Sequence, residues 1–374
     1  MKGYMDSETT SAKPVPQKES SNLLSSLLNE FRRNKLILYY VAFSTLFTFI
    51  VNLFVPHEID YNIYSYLELW AMLCYTTFVF WATFYYCFLL VKRERQPAKR
   101  FLKKIRALFF PVSKPLCFVI LMLALNVSLS NYTFFKSLLP FLNPFILDIN
   151  FYYVDKWLHF GVIPWEITHA VLPNAMSSLV INILYNLWFF INWGMLLYFI
   201  LYRKNDLLRS QFLLTYLISW FLIGNVVATL LSSAGPAFFH HIEAQDLYLQ
   251  LMQRLELQSS ELTNIGLIPI WALSTQDMLW ENHINIIGSV GSGISAMPSL
   301  HVVIAVLTAM TLFKLNRTLG YIAWVYAFFI QVGSVHLAWH YAIDGYVGAL
   351  LVITLWHLIG YLLRRNSPPI TQQQ

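Results

Sequence analysis

Charge is scarce in this chain. Of its 374 residues only 12% are Asp, Glu, Lys or Arg, against about 25% in a soluble domain, so most of its surface is not built for water. Cysteine is scarcer: Cys74, Cys87 and Cys117 all lie in apolar stretches, with no Cys-x-x-Cys pairing. That argues against a disulfide framework and against a cysteine-held zinc site. The start of the chain lacks the apolar core of a signal peptide. Residues 1–22, "MKGYMDSETTSAKPVPQKESSN", are polar and read as a disordered cytoplasmic tail. No internal repeat is visible, and nothing points to nucleic acid.

What the chain has instead is apolar length. It is 57% hydrophobic, with a mean hydropathy of +0.54. A spanning helix needs roughly 20 apolar residues, and eight such runs can be read: about 36–55, 67–91, 113–133, 178–202, 211–233, 299–315, 319–338 and 342–363. The expected fold is an all-α polytopic membrane protein, with the bilayer as its first partner. Residues 23–35 place Leu23, Leu24, Leu27, Leu28 and Phe31 at helical spacing before Arg32, Arg33 and Lys35, which predicts an interfacial amphipathic helix. Three N-terminal spans then fill 36–133. Residues 134–363 form the main membrane domain, with interfacial or re-entrant segments over 137–175 and a long extracytoplasmic loop at 235–298. A cytoplasmic tail covers 364–374.

The charges alternate with the spans. Of 25 lysines and arginines, all but Lys136, Lys156 and Arg254 fall on one side of this topology. The positive-inside rule makes that side cytoplasmic, with both termini there. The histidines sort the other way: His57, His159, His169, His240, His241, His283, His301, His336 and His340 fall on or near the outer face, and His357 sits within a span.

Two segments on that outer face carry chemistry. One is "SAMPSLH", 295–301, which opens the sixth span. The other is "SVHLAWHYAID", 334–344, between the seventh and eighth spans. Pro298 suits a first helical turn, and the free N–H groups of that turn, with Ser299, favour a bound anion. His301 lies one turn in. His340 and Asp344, four apart, share a helix face, and a carboxylate beside an imidazole fixes its tautomer. Two imidazoles next to an anion-binding helix end suit phosphoryl transfer, one attacking phosphorus and the other protonating the departing oxygen.

"PSLH" followed by "HYAID" resembles the second and third motifs of the type 2 phosphatidic acid phosphatase superfamily. The spelling "AMPSLH…HYxxD", with "SSAGPAFF" at 232–239, is most similar to its inositol phosphorylceramide synthase-like branch, over about residues 150–362. The resemblance implies His340 as the nucleophile that becomes phosphohistidine, Asp344 as its orienting carboxylate and His301 as the general acid. Ser299, Pro298 and Gly235 become substrate-binding positions. It implies no cofactor and no metal, and a phospholipid or sphingolipid substrate.

The chain departs from the pattern where the family carries positive charge. Ala228 stands where the first motif has Lys, Gly235-Pro236 where it has Arg-Pro, and Ser334 where the third motif has Arg. Lys156, His240, His241, His336 and Arg254 are on the correct side to replace that charge. Because a diester carries less charge than a monoester, the loss tilts the reading toward a headgroup transferase. A lipid phosphate or prenyl pyrophosphate phosphatase is the alternative within the family. His336-x3-His340-x3-Asp344, with His301, also has the spacing of a zinc site, and an intramembrane zinc hydrolase is the third reading. Against these stand plain roles: a polar cluster pinning helices, Trp and Lys of "DKWLHFG" (155–161) as interfacial anchors, and His240-His241 as solvated loop residues. The glycines Gly288, Gly291 and Gly293 suit a lid.

Overall fold

The computed structural model describes residues 23–54, 61–285 and 293–365. The two tails, His57 and the lid glycines Gly288 and Gly291 lie outside the described residues. Helix dominates, and no strand occurs among the described residues. We number the helices α1 (Leu23–Asn52), α2 (Leu67–Val91), α3 (Pro97–Phe109), α4 (Ser113–Leu142), α5 (Asp148–Leu158), α6 (Pro164–Val171), α7 (Ala175–Leu201), α8 (Asp206–Leu230), α9 (Leu249–Asn264), α10 (Trp271–Ile284), α11 (Leu300–Leu315), α12 (Arg317–His336) and α13 (Ala342–Arg365). Seven of them, α1, α2, α4, α7, α8, α12 and α13, are long and apolar enough to cross a bilayer. The eighth expected span is the shorter apolar helix α11.

Differences from the sequence reading have local causes. The expected interfacial helix and first span are one uninterrupted helix, α1, since nothing between Phe31 and Ile37 breaks it. α4 continues past residue 133, through Pro140, to Leu142. The basic run after α2 forms a further helix, α3, with Pro97 in its first turn and no buried residue. Asparagines set several helix starts: the side chains of Asn174, Asn205 and Asn316 accept from the N–H groups of Ser177, Leu208 and Leu319. Asn316 also closes α11 by donating its N–H to Leu312, so one residue ends one helix and starts the next.

The core gathers around α11, whose residues Val302–Ala309 are all buried. It packs against α7, α8, α12 and α13. The middle of α8 widens into a π-helical stretch, Ser219–Val227. There Gly224 lets α4, α8 and α11 meet: a Cβ on it would lie 2.6 Å from Leu300 Cδ1 and 2.9 Å from Tyr132 Cε2. The long loop after α8 is ordered into α9 and α10. α2 is the outlier, with only 6% of its apolar window buried, against 61% for α4.

Candidate active site

Two buried aspartates on α5 organise the site. Asp148 and Asp155 are seven residues apart, two turns, and so share a helix face. Asp148 accepts from the N–H groups of Ala234 (3.0 Å) and Gly235 (2.8 Å) and from the Tyr341 hydroxyl (2.8 Å). Asp155 accepts from the N–H groups of Ala342 (2.6 Å) and Ile343 (2.9 Å), the first turn of α13, where a carboxylate is favoured by the helix dipole. Burial pushes both carboxyls above the usual carboxylate range, and these hydrogen bonds oppose it. Between them they pin "SSAGPAFF" and "HYAID" to one helix.

Those two segments are also tied to each other and to "SAMPSLH". Gly235 has φ +103°, and a Cβ there would lie 2.9 Å from the Trp339 carbonyl oxygen, a conformation and a contact that favour glycine. Ala237 donates to Ala338 (2.9 Å). Ser233 holds the N–H of Ala296 through its carbonyl (2.9 Å) and that of Met297 through its hydroxyl (3.2 Å). α11 starts at Leu300 with Ser299 as its N-cap. Pro298 therefore precedes the cap and does not sit in the first turn. The Ser299 N–H donates to the Asp344 carbonyl (3.1 Å). Its hydroxyl is fully buried and has no hydrogen-bond partner among the described residues.

These ties bring His301, His340 and Asp344 together. The two imidazole centroids are 6.3 Å apart, at 59° to each other. Asp344 Oδ2 lies 3.2 Å from His340 Nδ1 and accepts from the Tyr341 N–H (3.1 Å). A hydrogen on Nδ1 would be donated to this carboxylate. Burial lowers the His340 imidazole to about 3, so its neutral form is held. Its ring also bonds the backbone of Ala296. His301 is stacked on Tyr185 (4.7 Å, 24°) and lies against Trp188 (4.4 Å), whose indole N–H donates to the His301 carbonyl (2.9 Å). Near-attack distances are about 3–3.5 Å. The 6.3 Å between ring centres puts both imidazoles within reach of one small group.

The other candidates lie elsewhere. Among the described residues, Lys156 and His240 form no hydrogen bond or ring contact with His301 or His340. Lys156 lies over the Tyr152 ring at 6.0 Å. His240 is exposed beside His241, which stacks on Trp280 (4.0 Å, 6°). Arg254 donates to the Pro173 carbonyl. His336 faces away from a zinc cluster with His340: it stacks on His169 (3.7 Å, 9°) and bonds Ser178 (2.8 Å) and Thr168 (3.3 Å). No group of three or more His, Cys, Asp or Glu is gathered for a metal among the described residues. Sequence reasoning missed Asp148, Asp155 and His169. The seven-residue spacing of the two aspartates was the signal that could have found the first two.

A family model described as the PAP2 superfamily matches residues 149–358. The chain belongs to the PAP2 superfamily. Its members are phosphatases and phosphotransferases, so this is an integral membrane protein with a lipid-phosphate type of chemistry. The PAP2 region holds Asp155, Gly235, Ser299, His301, His340 and Asp344, and leaves α1–α4 outside. No curated protein and no solved structure matches the chain.

Proposed function

We propose that the protein is a lipid phosphotransferase that moves a phospho-headgroup, such as phosphoinositol, from a phospholipid to a second lipid alcohol such as a ceramide. The observation that carries this reading is the 6.3 Å approach of His301 to His340, with Asp344 on the latter's Nδ1. In the first step His340 Nε2 attacks phosphorus, the bond from phosphorus to the diacylglycerol oxygen breaks, and His301 gives that oxygen a proton. In the second step His301 takes the proton of the acceptor hydroxyl, whose oxygen displaces His340 from phosphorus. Asp344 keeps the ring in one tautomer and stabilises the positive charge of the N-phosphorylated imidazole. Ser299 and the first N–H groups of α11 bind the non-bridging oxygens.

Ala228 and Ser334, at the positions where the resemblance expects cationic clamps, are both buried. They support a diester substrate, with less charge to hold, over a phosphate monoester. The inositol phosphorylceramide synthase-like branch is the matching subgroup by the "AMPSLH…HYxxD" spelling. The distribution of lysine and arginine supports cytoplasmic termini and a periplasmic or lumenal site, in a bacterial inner membrane or a Golgi or endoplasmic reticulum membrane.

The test is reconstitution in liposomes with phosphorus-labelled phosphatidylinositol and ceramide, scoring a new labelled phosphodiester against free inorganic phosphate. A new phosphodiester, insensitive to chelator, is the expected product. Release of inorganic phosphate alone makes the protein a phosphatase of the same superfamily. Loss with EDTA and recovery with zinc overturns the phosphohistidine route.

A further inference from the structure

Three positive charges are missing from the PAP2 motifs, and the structure brings a lysine to the site from outside them. Lys136 lies on α4, one turn beyond Tyr132, and outside the matched residues 149–358. The Tyr132 ring and Leu300 meet at Gly224, and Leu300 stands between Ser299 and His301. On the other side Lys136 packs on Gly293: a Cβ there would lie 3.0 Å from Lys136 Cγ and 3.2 Å from its carbonyl oxygen, and φ is +92°. Lys136 thus packs against the segment entering "SAMPSLH", and Tyr132, one turn before it, approaches the helix that leaves it. The end of α4 is fixed in place by Asn143, which accepts from the Ser232 hydroxyl (2.8 Å) and donates to the Thr229 carbonyl (2.7 Å).

The Lys136 ammonium has no carboxylate and no hydrogen-bond acceptor among the described residues; its nearest aromatic contact is the Tyr132 ring, 6.0 Å away. After burial, its charge is a further influence disfavouring a proton on His340. The fully buried Ser299 hydroxyl at the start of α11 is also unpartnered. An unpartnered lysine ammonium whose charge is felt at His340 and an unpartnered hydroxyl at a helix N-terminus are the donor types of an anion site. An intramembrane cation without a counter-ion calls for a functional partner.

We propose that Lys136, supplied by the N-terminal helices, binds the substrate's phosphate oxygens together with Ser299 and replaces the cationic clamps absent from the motifs. This rests on the phosphotransfer reading of the histidine pair. It gives α4 a role that the family-matched region alone does not provide: the site is incomplete without it.

The probe is orthovanadate, a pentavalent phosphate mimic, titrated by calorimetry into the full-length protein in detergent. Wild type should bind it and His340→Ala should not; if wild type does not bind, the phosphate-site reading itself fails. Given binding by wild type, Lys136→Gln is expected to weaken it about 10- to 100-fold with an unchanged elution profile, while Lys156→Gln leaves it within about twofold. Lys136→Gln that binds as tightly as wild type overturns the Lys136 assignment alone. A second measurement uses unmodified protein and needs no variant to fold: saturating vanadate should slow acetylation of Lys136 by acetic anhydride, read by peptide mass spectrometry, and leave Lys156 unprotected. Equal labelling of Lys136 with and without vanadate overturns the assignment.

Discussion

The molecule holds two buried histidine pairs, and they are built oppositely. His169 and His336 lie face to face at 3.7 Å, and Ser178, Thr168 and the His336 carbonyl take up hydrogen-bonding atoms of the two rings. Ser178 in turn donates to Gln258, so this pair links α6, α7, α9 and α12. His301 and His340 stand 6.3 Å apart, share no hydrogen bond, and have a carboxylate on one ring and an unpartnered hydroxyl close by. Stacked rings with local partners consolidate helices. The second pair is set by aromatic neighbours of His301 and by aspartates that fix the segment carrying His340. The first pair bonds residues of neighbouring helices and leaves only the His169 Nδ1 without a partner among the described residues; in the second pair the polar partners are Asp344 and the Ala296 backbone, both on His340.

Mutating each pair should separate the two roles. The largest effect belongs to His340→Ala, which should lower transfer by about 10⁴-fold or more while the detergent-solubilised protein unfolds at nearly the wild-type temperature. Equal losses of activity and stability would erase the distinction. His301→Ala should cost about 10²–10⁴-fold, and a substrate with a nitrophenol leaving group, which departs without a proton, should recover most of the first step. The same substrate should not rescue His340→Ala.

The stacked pair should answer in stability and not in chemistry. His336→Ala removes hydrogen bonds to Ser178 and Thr168 and one face of the stack. It should lower stability by about 2 kcal/mol, seen as a lower unfolding temperature, with transfer per folded molecule within a few-fold of wild type. A complete loss of chemistry with normal stability would make His336 part of the reaction.

The smallest effect is in pH. Burial lowers His169 to about 4, below the value of about 6.5 expected in the unfolded chain. Between those values the unfolded state binds more protons, so this contribution is intact above about pH 6.5 and is lost as pH falls toward about 4. Thermal unfolding followed over that window should show a steeper acid decline for wild type than for His169→Asn. Identical slopes would mean that the ring is not held neutral.

Much of this architecture is legible in the amino-acid sequence. Apolar length alone locates the spanning helices, because the bilayer leaves few alternatives to helix. His301, His340 and Asp344 stand out because ionisable side chains in apolar surroundings are rare without a use. What stays hidden depends on distance along the chain. His169 and His336 meet across 167 residues, so the spacing of His336 to His340 suggests a shared metal while the fold turns the ring elsewhere. Asp155 passes without a role of its own in "DKWLHFG", whose Trp and Lys read as interfacial anchors, since nothing local shows that its carboxylate meets the first N–H groups of α13. Lys136 reads as an ordinary loop lysine when α4 is expected to end at residue 133; its extra turns carry that side chain against Gly293, just ahead of "SAMPSLH".

The most direct test of the central claim is to trap the intermediate. Purified protein mixed with donor lipid labelled at phosphorus, quenched in alkali and digested, should carry acid-labile label on the peptide containing His340, and a chase with the acceptor alcohol should remove it into product. Label on another residue, or turnover at full rate with no labelled peptide in any quench, would contradict the account.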